Sequence, residues 1–168
     1  IDQYINDPLH RYDFANDPRS YEPRRLGKKL AVINSAKGCV ARCTFCHRWD
    51  RGYRHRSVDH IIDNIKHLMD RYNVGFIAFG DENFGSDRRK LDELLERLKP
   101  LDILYKVGGV RVASVDLDLL HRMKASGCVG MYYGIESGSP KILEIMEKNA
   151  SLEQNINAAR WTYEAGIY

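Results

Sequence analysis

The chain has 168 residues, with 26 lysines and arginines against 23 aspartates and glutamates, and a formal net charge of +3. That length suits one domain burying roughly 70% of the surface its unfolded chain would expose, and 43% hydrophobic with 29% charged residues excludes disordered and fibrous classes. No apolar run approaches the about 20 residues of a membrane span, the opening residues carry no signal-peptide pattern, and so small a net charge argues against nucleic acid as the main partner.

Residues 1–29 carry Pro8, Pro18 and Pro23 among many charges. Asn6-Asp7-Pro8 and Asn16-Asp17-Pro18 are turn chemistry, because the residue before proline is pushed out of the helical region. The stretch reads as a linker or an N-terminal covering segment. Leu30 to Ile33 is then a short buried strand. Ser57 caps a helix whose apolar positions Val58, Ile61, Ile62, Ile65, Leu68, Met69 and Tyr72 keep the 3.6-residue period. Val74 to Phe79 is the next strand, and a helix with Leu91, Leu94, Leu95 and Leu98 runs up to Pro100.

Asp102 to Val107 is expected as a third strand, and Asp116 to Ser126 as a third helix ended by a left-handed Gly127. Val129 to Ile135 is a fourth strand. Pro140 opens a helix behind Ser139, and Ser151 with Gln154 forms a capping box for another. Gly166 ends that helix, and a fifth strand should begin at Ile167. The absence of an initial Met and this late strand start suggest a fragment, with a core over 30–168 that is incomplete at its C-terminus.

Strands starting near 30, 74, 103, 129 and 167 give a β-α repeat of roughly 30 residues, which builds a parallel sheet, open or closed as a barrel. One connection breaks the rhythm. About twenty residues separate the first strand from its helix where two to six are usual, and so long a loop is usually functional. It holds Cys39, Cys43 and Cys46, three of the four cysteines. Such clustering reads as metal binding in a reducing compartment rather than a disulfide scaffold. The remote Cys128, at the start of a buried strand, reads as a small core residue.

Three and then two residues between thiols lets each thiolate take a different iron of a [4Fe-4S] cube. One iron is then left without a protein ligand. A structural zinc site that adds His47 or His55 is the competing reading. The acidic Asp81-Glu82 pair closes the second strand, Arg111 follows the third, and Glu136-Ser137 closes the fourth. In a parallel barrel these C-terminal strand ends share one face, where active sites are built. The run Arg48, Arg51, Arg54, His55 and Arg56 reads as a solvated loop, or as a surface for an anionic substrate or a flavoprotein donor.

Cys39-x3-Cys43-x2-Cys46, directly after a first strand, resembles the signature of the radical S-adenosylmethionine (radical SAM) enzymes. The resemblance implies a partial (β/α)6 barrel of the TIM type, here about four and a half β-α units. It also implies a [4Fe-4S] cluster on the three cysteines and S-adenosylmethionine on the open iron. Reductive cleavage of that cofactor would give a 5'-deoxyadenosyl radical that abstracts a substrate hydrogen. Phe79-Gly80-Asp81-Glu82-Asn83-Phe84 stands where the family often carries Gly-Gly-Glu. Its acidic form, with Tyr133-Gly134-Ile135-Glu136-Ser137-Gly138-Ser139, looks like the cobalamin-linked, anaerobic-cyclase-like branch.

The resemblance carries cofactor binding to Phe45, Gly80, Asp81, Glu82, Arg111, Glu136 and Ser137. Cobalamin would come through a domain not present in these residues. A small-molecule substrate, a flavodoxin- or ferredoxin-type reductant and a cytoplasmic location are implied, with methyl transfer or cyclisation as candidate reactions. An iron–sulfur electron-transfer module and a zinc-stabilised binding domain are the alternatives. Both lack a reason for the acidic residues at the strand ends.

Overall fold

The computed structural model describes residues 14–47 and 52–168, so Asn6-Asp7-Pro8, Arg48 and Arg51 lie outside the described residues. The strands are β1 (Lys29–Ile33), β2 (Ala36–Cys39), β3 (Gly52–His55), β4 (Val74–Phe79), β5 (Leu104–Val110) and β6 (Cys128–Tyr133). The helices are α1 (Val58–Tyr72), α2 (Arg88–Leu98), α3 (Leu117–Ala125), α4 (Pro140–Ile145) and α5 (Leu152–Glu164). Strands β1, β4, β5 and β6 pair in parallel in that order. Each neighbouring pair is joined through a helical crossover, the pattern of a partial α/β barrel.

The caps explain where the helices start. Ser57, Asp87, Asp116 and Ser151 each accept a hydrogen bond from a backbone N–H in the first turn of the helix that follows, which satisfies donors a helix leaves unpaired. Ser151 and Gln154 form the full reciprocal box. The buried stripe of α1 is Val58, Ile61, Ile62, Ile65 and Leu68. With Leu91, Leu94, Leu95 and Leu98 of α2 and the outer face of the strands, it forms the main core.

Three expectations need correction. The long loop after β1 contains an antiparallel hairpin, β2 with β3, in which Ala36 faces His55 and Cys39 faces Gly52. Strand β5 runs past the expected end at Val107, through Gly108-Gly109 to Val110, with a register shift between Val107 and Val110. Strand β6 stops at Tyr133, because the chain turns through Glu136, whose φ is 63°. Tyr168 exchanges backbone hydrogen bonds with Met131 and Val129 of β6, the first pairing of a further parallel segment. Of the tyrosine pair, Tyr133 donates to or accepts from Thr162 of α5 at 2.7 Å. Tyr132 is exposed and lies beneath Lys106 Nζ.

The other face of the sheet carries a smaller cluster of Leu30, Phe76, Ala78, Leu104 and Val129, closed by Phe14. Phe14 meets Phe76 edge-on with ring centroids 5.0 Å apart. The chain after Phe14 then crosses the N-terminal strand ends, where Arg25 binds the Asp102 carbonyl and carboxylate at 2.6 and 2.7 Å. Asp17, 1% exposed, takes ion pairs from Arg19 at 2.9 Å and Lys124 at 2.8 Å. Arg19 also donates to the Lys124 and Cys128 carbonyls. Among the described residues no helix is long and apolar enough to cross a membrane.

Burial alone would raise the Asp17 carboxyl, but the hydrogen bonds from Arg19 and Lys124 outweigh it and hold its pKa at about 2. A carboxyl lowered by folding stabilises the folded state above its ordinary value of 3.8, and that stability is lost as the pH falls towards 2. The pair is worth about 2 kcal/mol on this linkage. Chemical denaturation of Asp17→Asn should therefore show a gap between neutral and acid stability smaller by that amount. An unchanged gap would mean that the cluster is not ion-paired in solution.

Candidate functional site

The site is assembled from the corner between β1 and β2. Asp81 follows the end of β4, and its carboxylate, 5% exposed, accepts from the Ser35 N–H and hydroxyl at 3.2 Å and from the Ala36 N–H. Burial pushes the Asp81 carboxyl up, with the hydrogen bonds from Ala36 and Ser35 opposing it. Those bonds fix the start of β2, which delivers Cys39 at its end. The chain then turns back, Cys46 N–H bonding to the Cys43 carbonyl at 3.3 Å. Ala41 N–H points at Cys39 Sγ at 3.4 Å.

A cavity of about 200 Å³ lies at the C-terminal ends of the strands. Cys39, Cys43 and Cys46 line it together with Glu82, Arg111 and Glu136. Phe45 and Lys148 also line its wall. Arg111 Nη2 donates to the Lys148 carbonyl at 3.3 Å, and Lys148 Nζ pairs with Glu136 at 2.9 Å. A second, more open cleft of about 690 Å³ borders Cys39 and Cys46 from the side of Arg42 and His47.

Three of the expected residues are not on that wall. Asp81 is turned inward to the β1–β2 corner. Gly80 borders a neighbouring cleft with Lys37, Arg54 and Arg56, which meets the first at Glu82. Ser137 Oγ accepts from the Ser139 N–H at 3.1 Å and its carbonyl from Asn155 at 3.1 Å, so it shapes the turn before α4. Ser139 stands at the N-cap of α4 without a side-chain capping bond. Burial pushes the Cys128 thiol up to about 12, so it stays a neutral core group. His60 lies against Arg56 on the surface.

Three thiols within eight positions of one loop, all lining one cavity, fit an iron–sulfur cube, which takes one thiolate per iron. Carboxylates and a guanidinium beside three thiols suit a ligand bearing both ammonium and carboxylate. Asn83, next to Glu82 and 1% exposed, has both amide atoms unpaired. Room is also reserved in the wall. A Cβ on Gly109 would lie 2.4 Å from the Asp81 carbonyl oxygen, and one on Gly134 would lie 2.7 Å from both Glu136 Oε1 and Lys148 Nζ.

The pattern described as "Radical SAM superfamily" matches residues 33–168. The chain is 27% identical over 167 residues to a cytidylyl-2-hydroxyethylphosphonate methyltransferase of Streptomyces wedmorensis, covering 95% of this chain and 31% of that protein. It is 32% identical over 155 residues to an anaerobic magnesium-protoporphyrin IX monomethyl ester cyclase of Cereibacter sphaeroides, covering 88% and 25%. The chain thus spans less than a third of the length of either of these relatives.

Among solved structures it is similar to the cobalamin-dependent S-adenosylmethionine radical enzyme OxsB, with a TM-score of 0.70 and 26% identity over 85% of this chain and 23% of that one. The fold is also that of the radical S-adenosylmethionine methyltransferase TsrM from Kitasatospora setae, solved with cobalamin and a [4Fe-4S] cluster. There the TM-score is 0.72 and the identity 20%, over 86% and 28% of the two chains.

Proposed function

This chain belongs to the radical SAM superfamily, and on that premise we propose that it holds a [4Fe-4S] cluster and binds S-adenosylmethionine as the core of a radical enzyme. The observation that carries the reading is the single cavity that joins Cys39, Cys43 and Cys46 to Glu82, Arg111 and Glu136. When bound, the cluster and S-adenosylmethionine supply one-electron reductive cleavage and hence radical activation of a substrate.

The chain's own residues bind and orient. Cys39, Cys43 and Cys46 hold the cluster as thiolates. Glu82 and Glu136 accept from the ammonium and ribose hydroxyl groups of the cofactor by charge-assisted hydrogen bonds. Arg111 meets its carboxylate, and the backbone at Phe45 meets its adenine. Gly80, Asp81 and Ser137 act one layer further out, fixing the loops that carry Glu82 and Glu136.

The relatives' names support methyl transfer and cyclisation as candidate reactions on a small-molecule substrate. The cobalamin named for OxsB supports cobalamin as an additional cofactor, held outside these residues. A flavodoxin- or ferredoxin-type protein is the fitting reductant, in the cytoplasm. The acidic and cationic groups that line the cavity with the thiols disfavour a plain electron carrier and a structural zinc site, since neither has a use for them.

Equilibrium binding of S-adenosylmethionine to the reconstituted intact protein tests the residue roles. Glu82→Ala and Glu136→Ala should each weaken binding by about tenfold, the loss of one charge-assisted bond. Unchanged affinity in both variants would remove these two assignments.

A further inference from the structure

Lys148 has no role in the reading above, yet it lines the same cavity. Its side chain is 12% exposed, which is unusual for lysine unless it is paired. Nζ lies 2.9 Å from Glu136 Oε1 and 5.6 Å from the centre of the Phe45 ring, within reach of a cation–π attraction. Its carbonyl accepts from Arg111 at 3.3 Å. One residue therefore contacts the acidic, aromatic and guanidinium parts of the wall.

The backbone is bent to put it there. Glu147 and Asn149, on either side, have φ of 49° and 51°, and Glu136 has 63°. Among the described residues these are three of five non-glycine positions with positive φ. Side chains disfavour that region, so it persists only where the surroundings enforce it. The same turn is tied to the cysteine loop, since Thr44 donates from its N–H to the Met146 carbonyl at 3.0 Å and from its hydroxyl to the Ile145 carbonyl at 3.3 Å. Thr44 lies between two of the three cysteines.

We propose that Lys148 is the positioning residue of the cofactor cavity. Its ammonium holds the Glu136 carboxylate and the Phe45 ring in place, and its turn registers both against the cysteine loop. The inference rests on the cluster-and-cofactor reading above. A lone Glu136 carboxylate would swing into solvent, whereas the ion pair orients it across the cavity. Gly134 fits this role, because any side chain there would wedge between Glu136 and Lys148.

The test uses the intact protein reconstituted with iron and sulfide, reading iron per chain, S-adenosylmethionine affinity and the EPR spectrum of the reduced cluster with the cofactor added. Lys148→Met should keep the wild-type iron content and melting behaviour but bind the cofactor about tenfold or more weakly, with an altered EPR response. Lys148→Arg keeps the charge and should restore most of the affinity. Gly134→Ala, which removes neither charge, should weaken binding in the same direction. In the double variant with Glu136→Gln, the Lys148→Met loss should shrink, because the two residues act as a pair.

Wild-type affinity in both Lys148→Met and Gly134→Ala, with the cluster intact, would overturn the proposal. So would a Lys148→Arg variant as impaired as Lys148→Met. A wild-type spectrum that ignores the cofactor would instead overturn the reading on which the proposal rests.

Discussion

Cys43→Ala should leave the reconstituted intact protein without a stable cluster and reduce S-adenosylmethionine cleavage to background. Cys39 and Cys46 remain in that variant, but two thiolates cannot hold three irons, and the buried position of Cys43 offers no nearby substitute. Cys43→Ser keeps the size and loses the soft thiolate that iron–sulfur clusters require, so it should fail in the same way. Cys128→Ala should retain full iron content, because that thiol is buried in the core and held neutral. Iron and sulfide analysis beside a cleavage assay checks all three. A Cys43→Ala protein with normal iron and normal cleavage would remove the cysteine triad from the account.

The second large effect concerns Asp81. Asp81→Ala strips the acceptor from the Ser35 N–H, the Ser35 hydroxyl and the Ala36 N–H, all at a buried corner. Each unsatisfied buried donor costs about 1–3 kcal/mol, so the variant should lose at least about 3 kcal/mol in denaturant unfolding. Its function should fail for a second reason. The freed corner no longer aims β2, and Cys39 lies three residues beyond Ala36, so cluster assembly should fall even in the folded fraction. Asp81→Asn should rescue only in part, since its amide nitrogen would replace one carboxylate oxygen and face the Ser35 or the Ala36 N–H, a donor against a donor. A stability within experimental error of the unsubstituted protein would show that the corner does not depend on this carboxylate.

Much of this arrangement is legible in the sequence because it follows local rules. The α1 stripe from Val58 to Leu68 keeps helical period, Ser151 and Gln154 spell out their own cap, and Cys39, Cys43 and Cys46 are spaced for a cube. The parallel repeat then puts the strand ends on one side, which is why Glu82, Arg111 and Glu136 meet the cysteines. What escapes notice has non-local causes. The β2–β3 hairpin has no apolar alternation, with Lys37 opposite Arg54, so nothing in its pattern separates it from a loop.

The acidic doublet shows a different limit. Sequence cannot say which of Asp81 and Glu82 turns inward, because that depends on Ser35 and Ala36 nearly fifty residues away. Lys148 has only a faint local signal, a turn-forming Asn149 just after a short helix. Its contacts with Glu136, Phe45 and Arg111 exist only once the α4–α5 turn docks on the cysteine loop. Gly108-Gly109 misleads for a related reason. Paired glycines usually end a strand, but here positive φ at Gly109 accommodates the close approach of the Asp81 and Glu82 carbonyls.

The most direct measurement is EPR of the anaerobically reconstituted and reduced intact protein, recorded with and without S-adenosylmethionine. The account predicts a [4Fe-4S]+ signal whose shape changes when the cofactor is added, because one iron is left for it by the three-cysteine set. A cluster signal identical in both samples, or stoichiometric zinc with no cluster at all, would contradict it.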